Sequence, residues 1–279
     1  MSLLAAVLDL SILVLVSLVP TVLYLSWIRQ SERFRREGWG TLLRAFAYGA
    51  FFATFLAGIL EAVLVGAGTR ASQAIPAPEF TFLNGNSSLG VFFLVLVIAP
   101  FVEEALKGSG VYVYRDRIKA PSDGPVLGAS VGLGFGFFET LLYGLGAFVI
   151  GGLVAGIVLI LIRSISSVLL HASSTGMFGY GFARSRFRMA GPGTGSYYLL
   201  AVLMHASFNA LASLAAIVAL FGVTGLSVTV AAELGLLGAI GFAFVAFEHV
   251  RSLVQLSRYP ALGPGAERFR PRGRTPPPK

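Results

Sequence analysis

Long apolar stretches separated by short polar ones dominate the chain. Windows able to cross a hydrocarbon layer of about 30 Å occur at 3–28, 41–66, 88–114, 125–148, 153–183, 194–221 and 227–250. They predict an all-α polytopic membrane protein, a bundle of about seven transmembrane helices. The fourth and fifth windows nearly fuse. They are divided at "VIGG", residues 149–152, because one unbroken helix of that length would far exceed the bilayer core. The first window is too long for a signal-peptide core and lacks a basic leader, so it is expected to be a retained span.

Basic residues give the windows an orientation. Arg29, Arg33, Arg35, Arg36 and Arg44 follow the first, Arg115, Arg117 and Lys119 the third, Arg184, Arg186 and Arg188 the fifth, and Arg251 through Lys279 the seventh. The opposite loops hold only Arg70. Short cytoplasmic loops collect Lys and Arg, so a multi-pass cell-membrane protein with an outer N-terminus and a cytoplasmic C-terminus is expected. The segment from Gly68 to Ser87 reads as the longest outer loop. The chain divides into a transmembrane domain, 1–250, and a basic, Pro-rich tail, 251–279, expected to be disordered and to touch anionic lipid.

Composition narrows the function classes. Of 279 residues, 56% are hydrophobic and only 12% charged, which excludes an ordinary soluble domain. The absence of cysteine removes disulfides, thiolate metal sites and a cysteine nucleophile. The basic residues behind a net charge of +8 gather mainly in the loops and the tail, which argues for lipid head groups and against nucleic acid.

Against this background, "APFVEEALKG" (99–108) is costly, since each charge at the centre of a span costs about 2.5 kcal/mol or more to insert. Glu103, Glu104 and Lys107 lie in the third window, Glu139 in the fourth, Arg163 and His171 in the fifth, and His205 and Asn209 in the sixth. At about 1.5 Å per residue, Glu104, Glu139, His171 and His205 all fall roughly 16 to 21 Å from the cytoplasmic ends of their helices. Four consecutive helices therefore bring ionisable groups to one layer near the midplane, which marks a polar site.

Helical spacing adds detail. Lys107 is four residues from Glu103 and three from Glu104, so it can lie beside either carboxylate. Pro100 cannot donate its backbone hydrogen bond and should kink the third span just outside the pair. Gly128, Gly132 and Gly136 form a close-packing stripe. His205 and Asn209, four apart, can donate two hydrogen bonds to a developing oxyanion. Glu61, Glu233 and Glu248 stand nearer helix ends and read as interhelical hydrogen bonds or snorkelling groups, and Arg163 reads as a structural anchor.

"EEALK" (Glu103, Glu104, Lys107), "FGFFE" (Phe135 to Glu139), "HASSTG" (from His171) and "HASFN" (His205 to Asn209), in that order on successive spans, resemble the PrsW family of intramembrane proteases. That family is similar to the CAAX prenyl endopeptidases and bacteriocin-processing proteins. The resemblance covers about residues 88 to 215. It implies an intramembrane endopeptidase that acts on a membrane-anchored, single-span protein, an anti-sigma factor among the candidates, with glutamate-activated water. Carried over by position, it makes Glu103 the general base and Glu104 the partner of Lys107. Glu139 and His171 hold or activate the water, Phe135 supports them, and His205 with Asn209 stabilises the oxyanion. No cofactor is expected on this reading. The alternative is a zinc site built from Glu103, Glu139, His171 and His205, since two histidines with carboxylates suit that metal. A noncatalytic scaffold, like the related gamma-secretase subunit of the Aph type, and a proton-coupled transporter are the readings from other classes.

Overall fold

The computed structural model describes residues 3–32, 36–74 and 82–256. Among these the chain is helical and contains no strand. Helix α1 (Leu3–Gln30) is followed by α2 (Trp39–Ala47), a π-helical turn (Tyr48–Ala53) and α3 (Thr54–Ala74), which form one continuous run. Next come α4 (Ser88–Phe93), a second π-helical turn (Leu94–Ile98) and α5 (Ala99–Val113). Then follow α6 (Asp123–Ser164), α7 (Ser167–Arg186), α8 (Thr194–Ala212), α9 (Leu214–Leu220) and α10 (Leu226–Leu256).

At 42 residues, α6 would be about 63 Å long if straight, twice the hydrocarbon thickness. It is not straight. Gly152 has φ 79° and ψ −175°, a conformation open essentially to glycine alone, and the chain reverses there. The two legs then pack on each other, as Ile160 lies against Gly144 and Gly156 against the Gly144 carbonyl. The division expected at residues 149–152 is thus borne out. By length and composition, five apolar runs can cross a bilayer, or six if α8 and α9, bent by 70°, make one span. The run Asp123–Arg186 contains the reversal, so its two legs correspond to the fourth and fifth windows.

Close approach of backbones organises the centre. A Cβ on Gly132 would overlap the His171 carbonyl oxygen, one on Gly128 that of Thr175, and one on Gly124 that of Gly179. This antiparallel register of α6 on α7 confirms the glycine stripe, and half of α6 and most of α7 are buried.

The basic helix ends meet in pairs. Arg186 approaches Asp116 at 3.8 Å, and Arg251 donates to Ser31 Oγ at 3.1 Å while stacking on Trp27. Two boundaries differ from the hydropathy windows. Helix α3 continues through Ala74 into the expected outer loop, and α10 continues to Leu256 into the expected tail. Residues 75–81 and 257–279 of those segments lie outside the described residues.

Candidate active site

Helix α5 supplies Glu103, Glu104 and Lys107, α6 supplies Phe135 and Glu139, α7 supplies His171, and α8 supplies His205. These side chains, separated by up to 102 positions, meet in one hydrogen-bonded cluster. Lys107, fully buried, donates to Glu104 Oε1 at 2.7 Å, to Glu103 Oε2 at 3.4 Å and to His171 Nδ1 at 2.9 Å. The Phe135 ring lies 4.4 Å from Lys107 Nζ and packs on the His171 imidazole, centroid to centroid 5.1 Å. A fully buried ammonium thus lies between carboxylates and an aromatic face.

The two carboxylates of α5 differ in their surroundings. Glu104 Oε1 accepts from Lys107, from Ser174 Oγ at 2.9 Å and from His205 Nδ1 at 3.0 Å, so three donors fix it in place. Glu103 Oε2 has Lys107 at the longer 3.4 Å, and it faces both imidazoles, His171 Nδ1 at 3.9 Å and His205 Nε2 at 3.8 Å. Sequence spacing alone left open which glutamate Lys107 prefers. The shorter bond goes to Glu104.

Hydrogen-bond partners also fix both imidazole tautomers. The Lys107 ammonium is a donor only, so His171 Nδ1 presents its lone pair, and Nε2–H donates to Glu139 Oε2 at 2.8 Å. His205 Nδ1–H donates to Glu104, leaving its Nε2 lone pair directed at Glu103. Each ring therefore has one nitrogen held by a carboxylate and the other turned to the centre.

The donor set Glu103, His171 and His205 is compact: one donor atom from each lies within 4.8 Å of the others, and all three residues are buried. Two imidazoles and one carboxylate with an open fourth position suit a catalytic zinc, and carboxylates behind both imidazoles are what such ligands ordinarily have. Glu139, which the sequence-based zinc set included, instead stands behind His171.

Asn209 lies on the same helix as His205, and its Nδ2 donates to the Val95 carbonyl at 2.8 Å, within the π-helical turn before Pro100. Arg163 has a closer tie to the cluster than an anchor needs, donating to Glu139 Oε2 at 2.6 Å and to Ser167 Oγ at 2.9 Å. Glu61 is half-buried in mid-helix, because α3 is longer than its apolar window, and the charges acting on it are those of Glu139 and Lys107. Its Oε1 is buried with no hydrogen-bond partner among the described residues.

Ser167, Ser174 and Tyr143 escaped the sequence reading. Each is one helical turn from a residue it did single out: Ser167 and Ser174 flank His171, and Tyr143 follows Glu139 by four. That spacing was the available signal.

The sequence profile described as PrsW family intramembrane metalloprotease matches residues 37–246, well over half of the chain. The chain belongs to the PrsW family. It is similar to Protease PrsW of Geobacillus kaustophilus (strain HTA426), 28% identical over 178 residues that make up 63% of this chain and 67% of the relative. No solved structure matches. Membership of the PrsW family makes the chain an intramembrane protease, and the apolar helices place it in a membrane as a multi-pass protein. The PrsW match begins two residues before α2 and ends inside α10, so it encloses every residue of the cluster.

Proposed function

We propose that the chain is an endopeptidase that hydrolyses a peptide bond of a single-span, membrane-anchored protein at the Glu103–His171–His205 centre. The observation that carries this reading is the convergence of His171 Nδ1, His205 Nε2 and Glu103 Oε2, with Glu139 and Glu104 holding the opposite ring nitrogens. A scaffold has no need for two imidazoles held in opposite tautomers around one carboxylate.

Glu103, His171 and His205 would hold a zinc ion. Bound there, it would supply a nucleophilic water ionising near neutral pH and polarise the scissile carbonyl. The chain's own groups do the rest. Glu104, held by Lys107, Ser174 and His205, positions the His205 ring. Lys107 brings a positive charge into contact with Glu103, Glu104 and His171, where it can offset negative charge that develops in the transition state. Phe135 and the close glycine packing of α6 on α7 exclude bulk water, which strengthens each of these interactions.

A second reading, a metal-free glutamate mechanism, is favoured by one observation: Lys107 Nζ lies 2.9 Å from the His171 nitrogen that would otherwise bind metal. In that case Glu103 takes the water proton and Lys107 replaces the metal's charge. The basic helix ends are proposed to lie on the cytoplasmic side of the cell membrane, with the N-terminus outside.

Purified protein in lipid nanodiscs, given a quenched library of single-span peptides, tests both readings. Cleavage that is lost in Glu103→Gln and His205→Ala, lost on chelation and restored by zinc supports the metal centre. Chelator-insensitive cleavage lost in Glu103→Gln supports the glutamate mechanism. Cleavage retained in both variants would falsify the assignment of the centre.

A further inference from the structure

We infer that Arg163 is a positioning residue: by clamping Glu139 at Nε2 it completes, with Lys107 at Nδ1, the pair of bonds that sets the tautomer and orientation of His171. The inference deepens the proposed function, because it rests on His171 belonging to the hydrolytic centre. It begins at a break in the fifth span. Helix α6 stops at Ser164, Ser166 leaves helical geometry (φ −125°, ψ −81°), and α7 restarts at Ser167. This break places Arg163 and Ser167 side by side, facing Glu139 on the first leg of α6.

Three contacts hold the guanidinium in that place. It lies 3.9 Å from the centroid of the Tyr143 ring, and its Nη2 donates to Glu139 Oε2 at 2.6 Å and Ser167 Oγ at 2.9 Å. Ser167 Oγ in turn approaches the same Glu139 oxygen at 3.4 Å. Tyr143 is one turn from Glu139 and Ser167 one turn from His171, so the clamp ties both helices at the level of the site.

Glu139 Oε2 is the atom that receives His171 Nε2–H. A carboxylate free to rotate would leave the ring without a partner on that side, and the imidazole could flip or exchange tautomers. Held by Arg163, the carboxylate keeps the Nδ1 lone pair on the Lys107 ammonium. Arg163 and Glu139 are also more exposed than the groups they face, with side chains 17% and 20% accessible, whereas Glu103, Glu104, Lys107, His171 and His205 are all at 8% or less. The clamp therefore stands at the less buried edge of the cluster, where the orientation of Glu139 has least support from packing.

The test is a nitrogen NMR spectrum of bilayer-reconstituted protein with isotope-labelled histidine rings. The chain has three histidines, and His249→Gln removes the exposed one, leaving His171 and His205. Wild type is expected to show one Nε2–H ring and one Nδ1–H ring. Arg163→Gln is expected to give His171 a second, Nδ1–H signal and to lower turnover of a cleaved library peptide about 10–100-fold with KM nearly unchanged. Arg163→Lys, which keeps the charge, is expected to retain the wild-type pattern. Tyr143→Leu removes only the ring under the guanidinium and is expected to move the same signal in the same direction, so the test survives if Arg163→Gln does not fold. A His171 signal unmoved in the folded variants overturns the inference, whatever happens to turnover. A signal that moves in a protein that cleaves nothing leaves Arg163 as positioning residue and overturns the proposed function instead.

Discussion

Asn209 Nδ2 donates to the carbonyl of Val95 at 2.8 Å, and the reason lies five residues further along that helix, at Pro100. In the π-helical turn Leu94–Ile98 the next backbone N–H, that of Ala99, bonds Leu94 O. The following amide in that register would serve Val95, but it belongs to a proline and has no hydrogen. Asn209 from α8 therefore supplies the donor. Where a kink was expected from Pro100, the helix makes a π-helical turn closed by a side chain from another span.

A double-mutant cycle measures this relationship. Asn209→Ala should destabilise the protein by about 1–3 kcal/mol, the cost of an unsatisfied buried carbonyl. Pro100→Ala supplies a backbone N–H or allows the α-helical register, so Asn209→Ala in that background should cost much less. A coupling near 1 kcal/mol is expected in denaturant unfolding, within the range found for interhelical bonds in membranes. Additive effects would mean that Asn209 serves Val95 only incidentally.

Gly132 and Gly146 lie on the same helix and should respond oppositely to alanine. A Cβ at Gly132 meets the backbone of His171 and Ala172, whereas one at Gly146 meets nothing within 4 Å. Gly132→Ala must push α7 away, lowering stability by several kcal/mol and displacing His171, so cleavage should fall in parallel. Gly146→Ala should leave activity intact and raise stability by up to about 1 kcal/mol through helix propensity. Unfolding and cleavage assays on the pair distinguish packing from a general intolerance of α6.

The bundle was legible in the sequence because bilayer thickness turns helices into countable windows, and the midplane site because charges in such windows are costly. Glu103, Glu104, Glu139, His171 and His205 meet as their common depth implied. What stayed hidden depends on rotation about each helix axis, which depth does not report. Thus Arg163 read as an anchor although it bonds Glu139, and Glu61 read as a helix-end group although α3 continues for thirteen residues beyond it. Helix ends drifted for a related reason: amphipathic turns such as Thr69–Ala74 and Arg251–Leu256 extend helices past the hydrocarbon without an apolar signal.

The reversal at Gly152 depends on backbone geometry alone. A methyl group on its Cα would find no atom within 4 Å, so sterics with neighbours do not oppose a side chain there. Its φ of 79° with ψ of −175° does. Gly152→Ala should cost about 1–3 kcal/mol, read by thermal unfolding in nanodiscs, with cleavage by the folded fraction unchanged because the turn makes no contact with the cluster.

Glu103 and Glu104 are adjacent in sequence, yet the same substitution should act on different properties. Glu104 accepts the shortest bond of the buried Lys107 and also holds Ser174 and His205, so Glu104→Gln leaves an ammonium in low dielectric without its main partner. Breaking such a buried pair costs about 3–5 kcal/mol, and the loss should appear directly in unfolding. Glu103 has one long bond to Lys107 and faces the two imidazoles across 3.8 and 3.9 Å. Glu103→Gln should therefore unfold nearly as wild type does while losing turnover, by about 10²–10⁴ where Glu103 acts as the base of the metal-free mechanism and through loss of a ligand where it holds the metal. The paired measurement assigns chemistry to Glu103 and architecture to Glu104. The reverse pattern, a stable but inactive Glu104→Gln beside an unstable Glu103→Gln, would exchange their roles.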